Sequence, residues 1–502
     1  MSTLIARLIR EVLALAPTDP ALEFEGSWIT WGEIDTLATS LDRQLTANGL
    51  DEGCRVGLLL RNRPPQYAAA LGILVGARCL VVLNPVLPDA KLAADIAALR
   101  LPLVIGERSD LERPGVRASL READTGAIAL SDKLTQPPEL IPAPEVTSDH
   151  GGRSPGIMIE LLSSGTTGTP KRIPLRTKSF EASFAAGASY KRRPAKERVQ
   201  LRSGIVFLTL PFSHISGFWS LIQQVTAGRK AVLFERFKLD QVRAAIVRHR
   251  PAVFTAPPTV LRMILDAQIP REELASLRAI IAGTAPLDAA VIDEFFERYG
   301  IAVLQTYGAT EFAGAVASWS IEDFRAHRID KRGSVGRVHE GIEARVVDPQ
   351  TFVPLAPGEE GLLELRAARL GDSASWLRTT DRAILDSDGF LYIRGRADDA
   401  IVRGGFKVHP DDVVRALETH PAIREAAVTG IPDPRLGAVP VAAVILRTDC
   451  IAPDETSLKN YLRQQLSPYQ IPTQIRHVPE LPRTPSMKVS QPALRDLFLA
   501  KN

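Results

Sequence analysis

The run Leu161-Leu162-Ser163-Ser164-Gly165-Thr166-Thr167-Gly168-Thr169-Pro170-Lys171-Arg172 decides the class of fold and of chemistry. Apolar residues 157–162 predict a strand that delivers the chain into a loop. Ser163, Ser164, Thr166, Thr167 and Thr169 then place five hydroxyls within seven residues. Gly165 and Gly168 remove side chains where backbone N–H groups must approach a ligand, and successive N–H groups in such turns form an anion nest. Lys171 adds a compact positive charge suited to a β- or γ-phosphate. A flexible Ser/Thr/Gly linker is the plainer reading. It accounts neither for the strand feeding the loop nor for Pro170-Lys171 closing it. A P-loop would need Gly, four residues and then Gly-Lys-Ser/Thr opening a helix. Here the lysine stands three residues beyond the second glycine, behind a proline. The stretch is therefore read as a polyphosphate loop of another class.

Upstream, helix and strand signals alternate. Thr30-Trp31-Gly32-Glu33 is a capping-box pattern. It opens a helix with Ile34, Leu37, Ala38, Leu41 and Leu45 on one face, closed by Gly49. Residues 55–60 predict a buried strand, 65–77 a helix, 80–83 a strand, 89–99 a helix and 102–105 a strand, which argues a parallel sheet. Residues 132–156, rich in Pro, Ser, Gly and Asp, read as a connection. The strand and loop 157–171, strands 205–211, 230–234, 252–255, 278–282 and 301–305, and helices 239–249, 258–267 and 288–299 form a second α/β lobe in this reading. From about 333, Gly333, Gly336 and Gly341 punctuate short alternating runs such as 343–347 and 361–365, predicting a β-rich subdomain. Beyond Arg396 a compact α+β unit is expected, with helix 410–418, strands 425–429 and 441–446, and helix 456–465.

The 502 residues exceed the ~250–300 at which single cores split, so two or three domains are expected. Hydrophobic residues at 45% and charged residues at 24% are ordinary for a globular chain. A net charge of +3 over this length argues against nucleic acid as a partner, which would call for a clustered basic stripe. The one dense run, Lys191-Arg192-Arg193 with Lys196 and Arg198, reads as a solvated loop or as a contact to a phosphorylated cofactor. Cys54, Cys79 and Cys450 are far apart, odd in number and without metal-site spacing, which fits a reducing compartment. Arg7, Arg10 and Glu11 interrupt any apolar targeting core. The longest apolar stretch, 67–83, contains Arg78 and falls short of the ~20 residues of a membrane span. A cytoplasmic location is expected, and a homodimer is left open.

Ser164-Gly165-Thr166-Thr167-Gly168-Thr169-Pro170-Lys171 resembles the signature of the acyl-adenylate-forming superfamily, and further motifs stand in the family's order. Gln305-Thr306-Tyr307-Gly308-Ala309-Thr310-Glu311 resembles its second hallmark. The resemblance implies that Tyr307 stacks on adenine beside Gly308, Thr310 touches the α-phosphate and Glu311 holds Mg²⁺, a hard oxygen for a hard cation. Gly283-Thr284-Ala285 would lie beside adenine and the acyl group, with Thr284 where the family has a second glycine. In Arg378-Thr379-Thr380-Asp381, Asp381 would bind the ribose hydroxyls, with Thr380 in place of the usual glycine. Arg396 would contact ribose or phosphate, Asp398 would be a hinge, and Gly404 and Gly405 would line a pantetheine tunnel. In Pro482-Arg483-Thr484-Pro485-Ser486-Met487-Lys488-Val489, Lys488 would reach the reacting carboxylate and α-phosphate. His214, in Pro211-Phe212-Ser213-His214, would flank the carboxylate site, with Phe212, Phe218 and Trp219 as apolar lining.

The implied fold is multidomain α/β. Residues 1–395 hold two α/β subdomains plus a distorted β barrel, and residues 396–502 form a small, mobile α+β C-terminal domain. The implied enzyme is an acyl-CoA synthetase that uses ATP, Mg²⁺ and coenzyme A on a fatty, aromatic or alicyclic acid. Beside it stand an acyl-AMP ligase that loads a carrier protein, a luciferase-type oxygenase, and a non-catalytic nucleotide or acyl-AMP binding protein.

Overall fold

Period-two alternation sorts the strands of the first sheet between two cores. Val56, Leu58, Leu80, Val82, Leu103 and Ile105 face one cluster. Leu59, Cys79, Val81, Leu83 and Val104 face the other. Helices Trp31–Ala47 and Pro64–Val75 cover the first face, and Asp89–Leu99 and Pro114–Glu122 the second. Burial on both faces is what a parallel sheet requires. The computed structural model describes residues 3–141, 152–162, 171–190 (backbone only for 185–190), 199–370, 375–448, 450–484 and 487–500. The sheet has seven strands in the order Glu139–Ile141, Gly126–Leu130, Leu103–Glu107, Arg55–Leu59, Cys79–Leu83, Ile157–Leu162, Arg172–Arg176. The inner five are parallel and both edges antiparallel.

The capping box is present. Glu33 N–H donates to Thr30 Oγ1 at 3.2 Å, and Thr30 N–H donates to Glu33 Oε2 at 2.8 Å. Such a cap is worth about 1 kcal/mol.

One boundary is corrected. The strand Ile157–Leu162 belongs to the first sheet, not to the second lobe, because Leu80 pairs with Ile159 and Val81 with Glu160. The buried Glu160 carboxylate meets Arg55 at 2.7 Å, tying the strand to the first sheet. The strand that ends at Leu162 therefore lies one place in from the edge of this sheet.

The second lobe is built on a sheet ordered Val253–Ala256, Ala279–Ala282, Ala302–Ala309, Gly314–Ser318, Arg337–Val338. Its first three strands run parallel and the others antiparallel. A further sheet joins Arg202–Leu208 and Arg229–Leu233 to the N-terminal hairpin Pro20–Phe24 and Ser27–Thr30. Helices Thr177–Tyr190 and Ile215–Thr226 pack over this junction through Phe180, Phe218 and Leu221.

Strands Glu343–Val347, Glu360–Arg366, Leu377–Leu385 and Leu391–Arg396 form an antiparallel meander. It closes on the second lobe by packing Val346, Leu363, Leu365 and Leu391 against Phe312, Val316 and Ala317, and by an isolated bridge between Arg337 and Phe390. This is the distorted barrel: side-chain packing, more than a continuous ladder, completes it.

The smaller C-terminal domain has two cores of its own, drawn from residues between Ile401 and Phe498. Strands Ile423–Asp433 and Gly437–Leu446 carry helices Pro410–Glu418 and Glu455–Arg463 on one side and Gln491–Leu499 on the other. It docks on the large domain through Arg262 with Glu418 at 3.3 Å, Arg424 with Asp266 at 2.9 Å and Arg382 with Asp412 at 3.3 Å. Among the described residues no helix is long and apolar enough to cross a membrane.

Candidate active site

The parallel pairing of the strands Ala279–Ala282 and Ala302–Ala309 ends at Ala282 and Gln305, and the second strand runs on to Ala309. The loops beyond such ends are where ligands bind in open α/β sheets. The second strand carries Tyr307-Gly308-Ala309 into the turn Thr310–Phe312 and returns as Gly314–Ser318. The ladder slips between Tyr307 and Gly308, which re-aims Tyr307. A Cβ on Gly308 would lie 2.5 Å from the Gly314 carbonyl oxygen, so only glycine lets the strands cross here. Glu311 stands exposed at the turn.

Asp381 lies on the strand Leu377–Leu385 of the meander, in register with Arg396. Tyr307 donates its hydroxyl to Asp381 Oδ2. Burial pushes the Asp381 carboxyl up, and the Tyr307 bond and Arg396 charge oppose this. Burial, the Asp381 charge and their shared hydrogen bond hold the Tyr307 phenol well above its usual range. Thr380, which departs from the family's glycine, accepts from Arg396 Nε at 3.2 Å and Nη2 at 2.9 Å. Its carbonyl accepts from Ala397 N–H at 2.7 Å. Arg396 also pairs with Asp398 at 2.6 Å. The substitution thus fixes the guanidinium beside the carboxylate expected to hold ribose.

Lys488 enters from the C-terminal domain on a tight loop. Thr484 N–H donates to the Lys488 carbonyl at 2.8 Å, Met487 N–H to the Thr484 carbonyl at 2.8 Å, and Lys488 N–H to Thr484 Oγ1 at 3.2 Å. Met487 sits at φ 64°, a left-handed conformation uncommon outside glycine. Arg483 braces the loop, donating to the Met487 carbonyl at 3.2 Å and to both Glu425 oxygens at 2.8 and 2.9 Å. Arg483 was no candidate in the sequence, although it stands within the motif quoted for Lys488. Burial and the Arg396 charge lower the Lys488 ammonium from its usual value. His214 caps the helix Ile215–Thr226 at its N-terminus. Burial and the Lys488 charge push its imidazole down to about 4, so it is neutral at pH 7. Lys488 thus lies within electrostatic range of both Arg396 and His214. Two cations and a neutral imidazole there suit an anionic substrate.

Gly283 follows the strand Ala279–Ala282, and a Cβ there would lie 2.7 Å from Thr306 Cγ2. Thr284 is at φ 75°, and its hydroxyl is buried with no partner. Ala285 is half-buried beside it. Gly404 and Gly405 have φ 56° and 88° and form the exposed two-residue turn between Ile401–Arg403 and Phe406–Val408. Lys171 is exposed just before the strand Arg172–Arg176. Ser163, Ser164, Gly165, Thr166, Thr167, Gly168 and Thr169, and the basic run 191–198, lie outside the described residues.

Two expectations about the acyl lining are corrected. Phe212 and Phe218 are fully buried in the first core, against Tyr67 and Phe180. The turn before the helix Ile215–Thr226 places Phe212 inward and the helix's inner face Phe218, and Trp219 alone of the three keeps accessible surface.

The described residues hold no group of three His, Cys, Asp or Glu side chains able to enclose a metal. Glu311 at the turn fits Mg²⁺ in the way that ion is often held, by one or two carboxylates plus substrate phosphates and water.

A model of the AMP-binding enzyme family matches residues 9–370, and one of the AMP-binding enzyme C-terminal domain matches 415–488. The chain belongs to the AMP-binding enzyme family. It is 30% identical to a sulfoacetate–CoA ligase of Cupriavidus necator over 97% of this chain and 96% of that one. It is 32% identical to a 4-coumarate–CoA ligase-like protein of Oryza sativa over 66% of this chain, a match that spans 60% of the rice protein. Among solved structures it resembles an o-succinylbenzoate coenzyme A synthetase of Bacillus subtilis in complex with ATP and a magnesium ion. That likeness has TM-score 0.76 and 25% identity, over 97% of this chain and 99% of the other. The acyl-adenylate-forming superfamily expected from the sequence is therefore the one to which the chain belongs, and ATP, Mg²⁺ and coenzyme A are the reagents of its acid–CoA ligases.

Proposed function

We propose that the chain is an AMP-forming acid–CoA ligase. The observation that carries this is Lys488, from the C-terminal domain, within electrostatic range of His214 and of Arg396, which stands in register with Asp381, itself bonded to Tyr307. A carboxylate oxygen of the acid attacks the α-phosphorus of ATP, and the bond to the leaving pyrophosphate breaks. Lys488 neutralises charge shared between the incoming carboxylate and the α-phosphate, where a positioned cation stabilises the transition state most. His214 borders the carboxylate without adding a charge that would compete with Lys488. Thr310 contacts the α-phosphate, Asp381 and Tyr307 orient the nucleoside, and Arg396 spans ribose and phosphate. The loop 163–169 with Lys171 holds the β- and γ-phosphates. Mg²⁺ bound at Glu311 would reduce the phosphate charge. Most of the acceleration comes from position and charge neutralisation.

Coenzyme A then takes the acyl group. Its thiolate attacks the acyl carbon, and AMP leaves. The unit 396–502 turns about Asp398, withdraws Lys488 and presents Gly404 and Gly405 to the acceptor. The turn must break the contacts of Arg262 and Asp266 with Glu418 and Arg424. With Phe212 and Phe218 in the core, Trp219 is the one of the three aromatic residues left to line the acid.

Lys488→Ala tests the assignment. Pyrophosphate release should fall by about 100-fold or more, the scale of losing a transition-state charge contact. Thioester formation from supplied acyl-adenylate should stay within about threefold. Equal loss of both half-reactions would refute the proposal, and thioester on a carrier protein but never on coenzyme A would favour a carrier-loading enzyme.

A further inference from the structure

Helices Thr177–Tyr190 and Ile215–Thr226 and the strand Gly314–Ser318 meet beyond His214. Gly314 follows Glu311 by three residues. A Cβ on it would lie 2.7 Å from Ser183 Oγ and 3.5 Å from the Trp219 ring, so both are seated directly on this strand. The short turn Ala368–Leu370 inserts Arg369 into the same junction. Arg369 is 7% exposed. Its Nη1 donates to Ser183 Oγ and its Nη2 to the Ala315 carbonyl at 2.7 Å, and its Nε is buried with no acceptor.

No carboxylate among the described residues pairs with this guanidinium. Among the described residues the other arginine buried to this degree, Arg78, meets Asp42 at 2.5 Å. The ionisable neighbour of Arg369 is His339, bound to Ser318 Oγ at 2.7 Å. Burial and the Arg369 charge hold that imidazole down at about 4, so it is neutral. Burial lowers Arg369 to about 10, which leaves it charged at neutral pH. An unpaired buried charge is costly. A clamp on the turn would be served by the two bonds Arg369 already makes, and would not need the third donor, which is buried without an acceptor.

We infer that Arg369, with Ser183, receives a second anionic group, a carboxylate or sulfonate, on the acid whose first carboxylate is activated at His214 and Lys488. The inference rests on the ligase reading. It makes the substrate a bifunctional acid of short reach with an apolar middle. Trp219 lies five residues past His214 on one helix, about 7.5 Å along its axis, and covers that middle.

Acid-dependent ATP–pyrophosphate exchange on the full chain tests this with matched pairs: succinate and butyrate, glutarate and pentanoate, 3-sulfopropionate and propionate. The anionic member should be preferred in kcat/KM by about 10- to 150-fold, the range of a charge-assisted hydrogen bond. Arg369→Met should collapse that ratio towards one, and Arg369→Lys should keep part of it. Equal or better use of the uncharged members by the natural chain would overturn the inference without any variant. An unchanged ratio in Arg369→Met would also overturn it. Exchange with no acid at all would refute the ligase reading itself, and this inference with it.

Discussion

Replacing Arg483 with methionine should slow adenylation and spare thioester formation. Arg483 holds the loop that presents Lys488, through two bonds to Glu425 and one to the Met487 carbonyl. The pair is 21% and 13% exposed, so solvent screens it only in part. Methionine keeps the apolar stem but leaves Glu425 without its partner. A hydrogen bond to a charged group contributes about 1.5–3 kcal/mol, and the lower half of that range applies to a pair open to some solvent. Met487 adds its own tension, since the left-handed conformation costs about 1–2 kcal/mol. A loop with that tension and no brace would relax away from the geometry that aims Lys488. A loss of about 2 kcal/mol in the adenylation transition state corresponds to a rate about 30-fold lower. Single-turnover pyrophosphate release measures this step, and thioester formation from supplied acyl-adenylate measures the other. If the folded variant releases pyrophosphate within threefold of the natural rate, or loses both steps equally, Arg483 does not act through Lys488.

Two further outcomes follow from the geometry. Thr284→Gly relieves a left-handed threonine and removes a buried hydroxyl that has no partner. It should raise stability by about 1 kcal/mol once the added freedom of the unfolded chain is counted, and a lower denaturation midpoint would contradict this. Glu418, buried at the domain junction, is pushed up from 4.5 to about 7 by burial, against the Arg262 charge. The folded chain then holds a proton that the unfolded chain has released. Stability from this group is therefore present below pH about 4.5 and is lost as pH rises towards and through about 7, by on the order of 3 kcal/mol. Glu418→Gln should flatten denaturation midpoints between pH about 4.5 and about 7, and hydrogen exchange of 418–424 should show the same change. An unaltered pH slope in that variant would rule out Glu418 as its source.

Local signals carried much of the fold. The capping box at Thr30, the helices 89–99 and 239–249 and the strand pattern of the first sheet depend on neighbours within a few residues, so they were legible in the text. Three features were not. The hairpin Pro20–Thr30 pairs with one strand, Arg229–Leu233, about 200 residues away. The strand before the polyphosphate loop joins the first sheet across an intervening segment. The helix Ile215–Thr226 buries Phe218, Leu221 and Ile222 against residues distant in the chain, so its apolar face is assigned to the core by the fold.

The sequence by itself determined which chemical groups are available: the hydroxyl-rich loop 163–171, Tyr307 to Glu311, Asp381, Arg396 and Lys488, in a family order. Their chemistry lies in residue type and short spacing, which a linear text preserves. Only the tertiary structure decided which of them meet. Lys488 stands ninety residues beyond Asp398 in the chain, yet shares a field with His214 and Arg396. Phe212 and Phe218 turn into the core, and Arg369 is left charged with no carboxylate partner among the described residues. Charge and burial depend on distances across the folded molecule, and no local pattern encodes them.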